Sequence, residues 1–106
     1  TKHLIKVEDL RRMRPSAYLI NTSRAQIVDT KALVKALQND WIARAGVDVF
    51  ETEPLPENDI LRKLPNVLVT PHLGYVTQGN YETYYREAVE DIEAFIAGVP
   101  IRVLGK

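Results

Sequence analysis

The sequence predicts an α/β fold, a three-layer α/β/α sandwich built on a parallel sheet, and three observations carry that prediction. Residues 17–21, 45–50 and 66–70 are short, nearly continuous apolar runs, the pattern of strands covered on both faces. The segments between them are too long for hairpin turns and include helical periodicity, which parallel strands require of their connections. The chain of 106 residues is 45% hydrophobic, enough for the core of one domain and no more.

Taken in order, residues 7–13 read as a short amphipathic helix with Leu10 and Met13 on one face. Arg14-Pro15 ends it, because the residue before proline is driven out of the helical region. Ala17-Tyr18-Leu19-Ile20-Asn21 is the first strand. Asp29 or Thr30 caps the next helix, which presents Leu33, Val34, Ala36 and Leu37 and stops near Asn39-Asp40. Ala45-Gly46-Val47-Asp48-Val49-Phe50 is the second strand, and its glycine predicts a helix or ligand lying close against the backbone. A proline-rich loop over 51–57 leads to a turn or two at 59–63, and Asn66-Val67-Leu68-Val69-Thr70 is the third strand, stopped by Pro71. The final helix is read from Tyr81, Tyr85, Ala88, Val89, Ile92, Phe95 and Ile96 at helical spacing. Gly98 is its expected stop, Pro100 prevents continuation, and 101–104 form a short extended tail.

Lysine plus arginine and aspartate plus glutamate each number 14, a formal net charge of +0. That balance argues against nucleic acid or an anionic membrane as partner. The one dense basic run, Arg11, Arg12 and Arg14, reads as a solvated helix face. Cysteine is absent, which excludes disulfides and thiolate metal sites and fits a cytoplasmic location; no metal site is expected. No apolar run approaches the ~20 residues of a bilayer span, and Thr1-Lys2-His3 lacks the layout of a signal peptide. Because the first residue is Thr1 and not Met, the chain is expected to be an excised or processed piece.

In open parallel sheets ligands bind beyond the carboxyl ends of the strands. Polar residues cluster there: Asn21-Thr22-Ser23-Arg24 after the first strand, Asp48 near the end of the second with Glu51 and Glu53 beyond it, and His72 after the third. An arginine, a carboxylate and a histidine delivered to one edge suit hydride transfer next to a carboxylate-bearing substrate. The guanidinium fork grips a carboxylate or polarises a carbonyl; the imidazole moves a proton near neutral pH, and a carboxylate beside it sets its tautomer. Hydride itself has to come from a nicotinamide. Each residue also has a plainer reading. Arg24 can be a surface charge, His72 can satisfy loop backbone, Glu53 can be an ordinary turn residue, and Asp48 can bond backbone amides. The tyrosines at 81–85 read as packing and His3 as a surface residue.

At these same residues the sequence resembles the D-isomer-specific 2-hydroxyacid dehydrogenases. The strand and turn Ala17-Tyr18-Leu19-Ile20-Asn21-Thr22-Ser23-Arg24 carries the first likeness. Gly46-Val47-Asp48-Val49-Phe50-Glu51-Thr52-Glu53-Pro54 carries the second, and Asn66-Val67-Leu68-Val69-Thr70-Pro71-His72-Leu73-Gly74 the third. All three stand in order over nearly the whole chain. The resemblance implies the second half of a Rossmann-type NAD(P)-binding domain across 1–106, with the helix and tail of 77–106 reaching toward a substrate domain. It implies an oxidoreductase interconverting a 2-keto acid and a D-2-hydroxy acid with NAD or NADP. By that resemblance Arg24 binds the substrate, His72 is the acid/base and Glu53 holds His72. Thr22, Ser23, Arg24, Asp48, His72, Gly74 and Tyr75 would line the nicotinamide end of the cofactor, with Asp48 reaching the carboxamide or its ribose.

Two departures stand out. Ala25 takes a position usually held by glycine, a cost of about 1 kcal/mol if a positive φ is needed there; Tyr75 stands where many relatives have a small residue. No G-x-G-x-x-G turn is present, so the chain alone is expected to bind NAD weakly or not at all and to show no turnover. The competing readings are a non-catalytic module that senses dinucleotide or mediates assembly, as the family's corepressor branch does, and an inactive truncated product. Half of a doubly wound sheet is expected to pair with the other half-domain or to form a homo-oligomer.

Overall fold

A computed structural model describes residues 2–105, which form two compact units divided between Gly74 and Tyr75. The first unit holds α1 (Val7–Arg12), β1 (Tyr18–Asn21), α2 (Thr30–Gln38), β2 (Arg44–Val47) and β3 (Val67–Val69). The strands form one sheet in the order β1-β2-β3, parallel throughout, with Asn21 level with Val47 and Val47 level with Val69. That register brings the carboxyl ends of all three strands to one edge.

Local chemistry accounts for the boundaries. The Asp9 carboxylate accepts the Lys6 N–H at 2.9 Å and opens α1; Asp29 accepts the Ala32 N–H at 3.1 Å and caps α2. At the far end of α2, Asp40 takes a left-handed φ of 55° and the Asn39 side chain bonds the Lys35 carbonyl. The Asn66 amide donates to the Leu37 carbonyl at 3.1 Å, so the end of α2 and the entry to β3 are tied together. Ala25, the position where strain was conceivable, opens a 3-10 turn at Ala25–Ile27 with ordinary backbone and a buried methyl.

The core lies on one face of the sheet. Leu10 of α1, Ala32, Leu33, Ala36 and Leu37 of α2, Leu19 of β1, Ala45 and Val47 of β2, and Ile42 are buried together. The alternation along β1 and β2 then turns Tyr18 and Ile20 to the other face, where they are 63% and 73% exposed, with Leu68 of β3 at 69%. The parallel sheet is as the sequence predicts. The third layer is formed by no element of the first unit. Among the described residues a Cβ at Gly46 would meet only Ile20, at an ordinary 3.7 Å. The second strand also ends at Val47 and not at Phe50. The Phe50 N–H is taken by the Glu53 carboxylate, which withdraws it from any ladder.

The second unit is α3 (Gln78–Ile96) and the tail that follows it. Thr77 caps the helix by accepting the Asn80 N–H. It ends as the sequence predicts: Gly98 has φ 76°, its N–H reaches Phe95 and the Val99 N–H reaches Ala94, the paired closure that left-handed glycine permits. Residues 101–104 form no strand. Arg102 folds the tail back by bonding Glu90 and Asp91, each at 2.6 Å, and these two carboxylates raise its pKa. No residue of α3 is buried, and its apolar stripe at Tyr85, Ile92, Phe95 and Ile96 stands open.

One face carries the stability of the first unit, which sets a contrast. Leu10→Ala empties a fully buried site and is expected to cost about 3 kcal/mol. Leu68→Ala, on the open face, is expected to stay within about 0.5 kcal/mol. Urea unfolding midpoints of the two variants measure the difference.

Candidate active site

The shared strand edge holds the polar residues. After β1, the buried Asn21 side chain closes an Asx turn: its Oδ1 accepts the Ser23 N–H at 3.1 Å and its Nδ2 donates to the Arg24 carbonyl at 3.0 Å. This brace presents Thr22, Ser23 and Arg24 to solvent. The Arg24 guanidinium curls back to donate to the Ser23 carbonyl at 2.7 Å. Among the described residues Arg24 makes no ion pair, so its charge is not neutralised by a carboxylate of the first unit.

After β2, Asp48 is buried, 4% exposed, and receives three donors from the segment that follows β3. Its Oδ1 accepts the Thr70 hydroxyl at 2.5 Å and the Leu73 N–H at 2.8 Å, and its Oδ2 accepts the Gly74 N–H at 2.8 Å. The Thr70 hydroxyl is the largest cause that holds the Asp48 carboxyl below its ordinary pKa; burial opposes, and the Leu73 and Gly74 amides add to the lowering. The same contacts explain Gly74: a Cβ there would lie 3.1 Å from Asp48 Oδ2 and 3.5 Å from Thr22 Cβ, so a side chain would push the carboxylate out of place.

His72 sits at the apex of this turn with φ 58°, a left-handed conformation that costs a non-glycine residue free energy unless its surroundings enforce it. Two consecutive amides after it, at Leu73 and Gly74, converge on one carboxylate, and that convergence enforces it. The imidazole Nδ1 lies 2.7 Å from Glu53 Oε2. Glu53 in turn takes the Phe50 N–H on Oε1 at 2.9 Å, and the Glu53–Pro54 peptide is cis. The hydrogen bond from His72 is the chief cause that lowers the Glu53 pKa, with the Phe50 amide second. An ionised carboxylate only accepts hydrogen bonds, so Nδ1 carries the proton.

Glu53, Asp48 and His72 therefore come together, and Thr22 touches Gly74 across the turn. Arg24 and Ser23 project from the same strand edge on their own turn. Tyr75 opens the second unit; its carbonyl accepts the Asn80 side chain, and it is 49% exposed. A cavity of about 480 Å³ is lined by Phe50, Glu53, Leu55, Arg62, Val69 and His72 among others. Asn21 stood among the polar residues expected at this edge, and its bracing role follows from Asx-turn chemistry. The roles of Thr70 and Arg62 were not legible, because their partners lie across the fold or in an irregular loop.

Comparison with known proteins bears on the same stretch. The family model for the D-isomer specific 2-hydroxyacid dehydrogenase, NAD binding domain, matches residues 1–74. The chain belongs to that family. A glyoxylate reductase of Thermofilum pendens is 57% identical over 77 residues, 73% of this chain and 23% of that protein. The fold superposes on a D-lactate dehydrogenase solved with NAD+ from Lactobacillus jensenii at a TM-score of 0.81 and 29% identity, covering 100% of this chain and 36% of that one. It also superposes on a D-isomer specific 2-hydroxyacid dehydrogenase of Xanthobacter autotrophicus Py2, solved with NADPH and MES, at a TM-score of 0.72 and 40% identity, covering 96% and 41%. The chain spans about a quarter of the length of the curated relative and well under half of each structure. Its parallel sheet is that of a Rossmann-type NAD-binding domain, and NAD or NADP is the cofactor of its family. Among the described residues no helix is long and apolar enough to cross a membrane.

Both carboxyls have lowered pKa values in the folded chain, so the unfolded chain binds more protons between the folded and unfolded values. Stability from Asp48 and Glu53 is therefore complete above their ordinary values, ~4, and falls as pH drops through the folded ones. Asp48→Asn, which cannot satisfy all three donors, is expected to lose roughly 2 kcal/mol at neutral pH and to flatten that acid dependence. Urea unfolding at neutral pH and at two acid pH values measures both effects.

Proposed function

We propose that this chain contributes the acid/base and substrate-binding side of an NAD(P)-dependent D-2-hydroxyacid dehydrogenase. The observation that carries the reading is the Glu53–His72 pair, 2.7 Å apart at the carboxyl edge of the sheet and mounted on a left-handed turn. Nothing in folding a small α/β unit asks for a histidine in that conformation facing a glutamate.

The roles follow from the chemistry of each group. Glu53 holds Nδ1–H, so Nε2 can give a proton to the carbonyl oxygen of a 2-keto acid and take it back in the reverse direction. Arg24, permanently charged and unpaired with any carboxylate of its unit, grips the substrate carboxylate and polarises the carbonyl. Asp48 has two oxygens and about four acceptor positions, of which three are used, so Oδ2 keeps one for the carboxamide N–H of a nicotinamide. Thr22, Ser23 and Gly74 form the neighbouring wall. The nicotinamide supplies the hydride when bound. The relatives named glyoxylate reductase point to a small 2-keto acid such as glyoxylate as substrate.

The open sheet face at Tyr18, Ile20 and Leu68 supports the further reading that this chain works against another domain, the first half of the dinucleotide fold, or against a second copy. The stripe of α3 and its tail are assigned to contacts with a substrate domain.

Two experiments test this. In an enzyme completed by a G-x-G-x-x-G half, His72→Gln is expected to lower kcat for glyoxylate about 10²–10⁴-fold, and Arg24→Lys chiefly to raise KM. Full activity of His72→Gln ends the reading, and micromolar NADH affinity of the 106-residue chain alone would contradict the division of labour. Separately, the chain is expected to self-associate through its open apolar surfaces; a monomer by sedimentation at high concentration refutes that.

A further inference from the structure

We propose that Arg62 is a positioning residue for the Glu53–His72 pair, its guanidinium fork tying the loop that carries Glu53 to the turn that leads into the strand carrying His72. The proposal deepens the acid/base reading above and rests on it.

The two members of the pair arrive by different routes. His72 follows β3 and is fixed by the Asp48 clamp. Glu53 rides on residues 51–57, which have no helix or strand. The Phe50 N–H, on a residue packed against the core, holds the Glu53 side chain but not the backbone that follows it. The buried Leu55 anchors that backbone by packing. Arg62 anchors it by hydrogen bonds. Its Nη2 donates to the Leu55 carbonyl at 2.6 Å and its Nε to the Pro56 carbonyl at 2.9 Å. Arg62 belongs to the 3-10 turn Ile60–Arg62, capped by Asp59 through the Leu61 N–H, and this turn lies against β3.

The arrangement is a cross-brace. Two donors in one plane fix both the position and the tilt of the 55–56 backbone, and donors carrying a full charge bond about twice as strongly as neutral ones. Among the described residues Arg62 takes no carboxylate, so its fork is spent on these two carbonyls. Arg62 also lines the cavity that Glu53 and His72 border. The demand on the brace is tight, because a displacement of ~1 Å at a reacting group costs on the order of 10²-fold in rate. Lysine cannot imitate it, having a point charge in place of a rigid fork.

The test follows the Glu53 side-chain carboxyl by carbon NMR across acid pH in the chain itself, with Arg62→Met, Arg62→Lys and, as a control remote in sequence, Arg12→Met. In the unaltered chain Glu53 is expected to titrate below the usual glutamate value, because His72 bonds it. Arg62→Met is expected to shift that midpoint up toward the usual value, Arg62→Lys to shift it part of the way, and Arg12→Met to leave it in place, all with dispersed amide spectra. A midpoint unmoved in Arg62→Met overturns the proposal and leaves the acid/base reading standing. Loss of amide dispersion in both Arg62 variants also overturns it, since Arg62 would then hold up the whole unit. A Glu53 that titrates normally in the unaltered chain removes the pair itself, and with it both readings.

Discussion

A single buried carboxylate organises the carboxyl edge of this sheet. Asp48 leaves β2 and meets the Thr70 hydroxyl and the amides of Leu73 and Gly74, so one side chain joins the end of the middle strand to the turn beyond its neighbour. Burial alone would raise its pKa and make the charge costly; three donors reverse that, and the turn is shaped by the need to supply them. The left-handed φ of His72 is the geometric consequence. Remove the carboxylate and nothing remains on this edge to point two successive amides inward.

The site is a layered assembly in which each functional side chain has its own support. Asn21 braces the Arg24 turn, Asp48 braces His72, and Glu53 both receives the His72 proton-bearing nitrogen and is held by the Phe50 amide. The supports are mostly short-range or are made across the sheet edge, while the apolar core of Leu10, Leu33, Leu37 and Ile42 lies on one face and takes no part. Packing fixes the strands; polar contacts at their ends decide what the loops present. This separation lets the same sheet carry different loop chemistry.

The exposed surfaces are the other lesson. Tyr18, Ile20 and Leu68 lie on strands whose opposite face packs against the core, and α3 buries none of its residues. A pattern of continuous apolar strands predicts burial of both faces without naming the elements that supply it. The pattern was therefore right about the strands and silent about which covering elements this chain supplies.

Periodicity, caps and punctuation were legible without coordinates: the parallel strands, the Asp29 cap, the stop at Gly98 and the family likeness at 17–24, 46–54 and 66–74 all follow from near neighbours. The trio of Arg24, Glu53 and His72 was legible as candidates because residue types after strands are countable. What coordinates added lies at long sequence separation. Asp48 was read as a cofactor contact or as a partner of backbone amides, and the coordinates supply which ones, at residues 73 and 74, together with the Thr70 hydroxyl; Arg62 was given no role, yet it bonds the loop of Glu53. Gly74 is crowded by Asp48 and Thr22, which lie far from it in sequence. Propensity and capping act within a few residues, so one dimension suffices for them. The pairing of a side chain with a backbone far along the chain depends on where the strands end in space, and that is settled only when the sheet has formed.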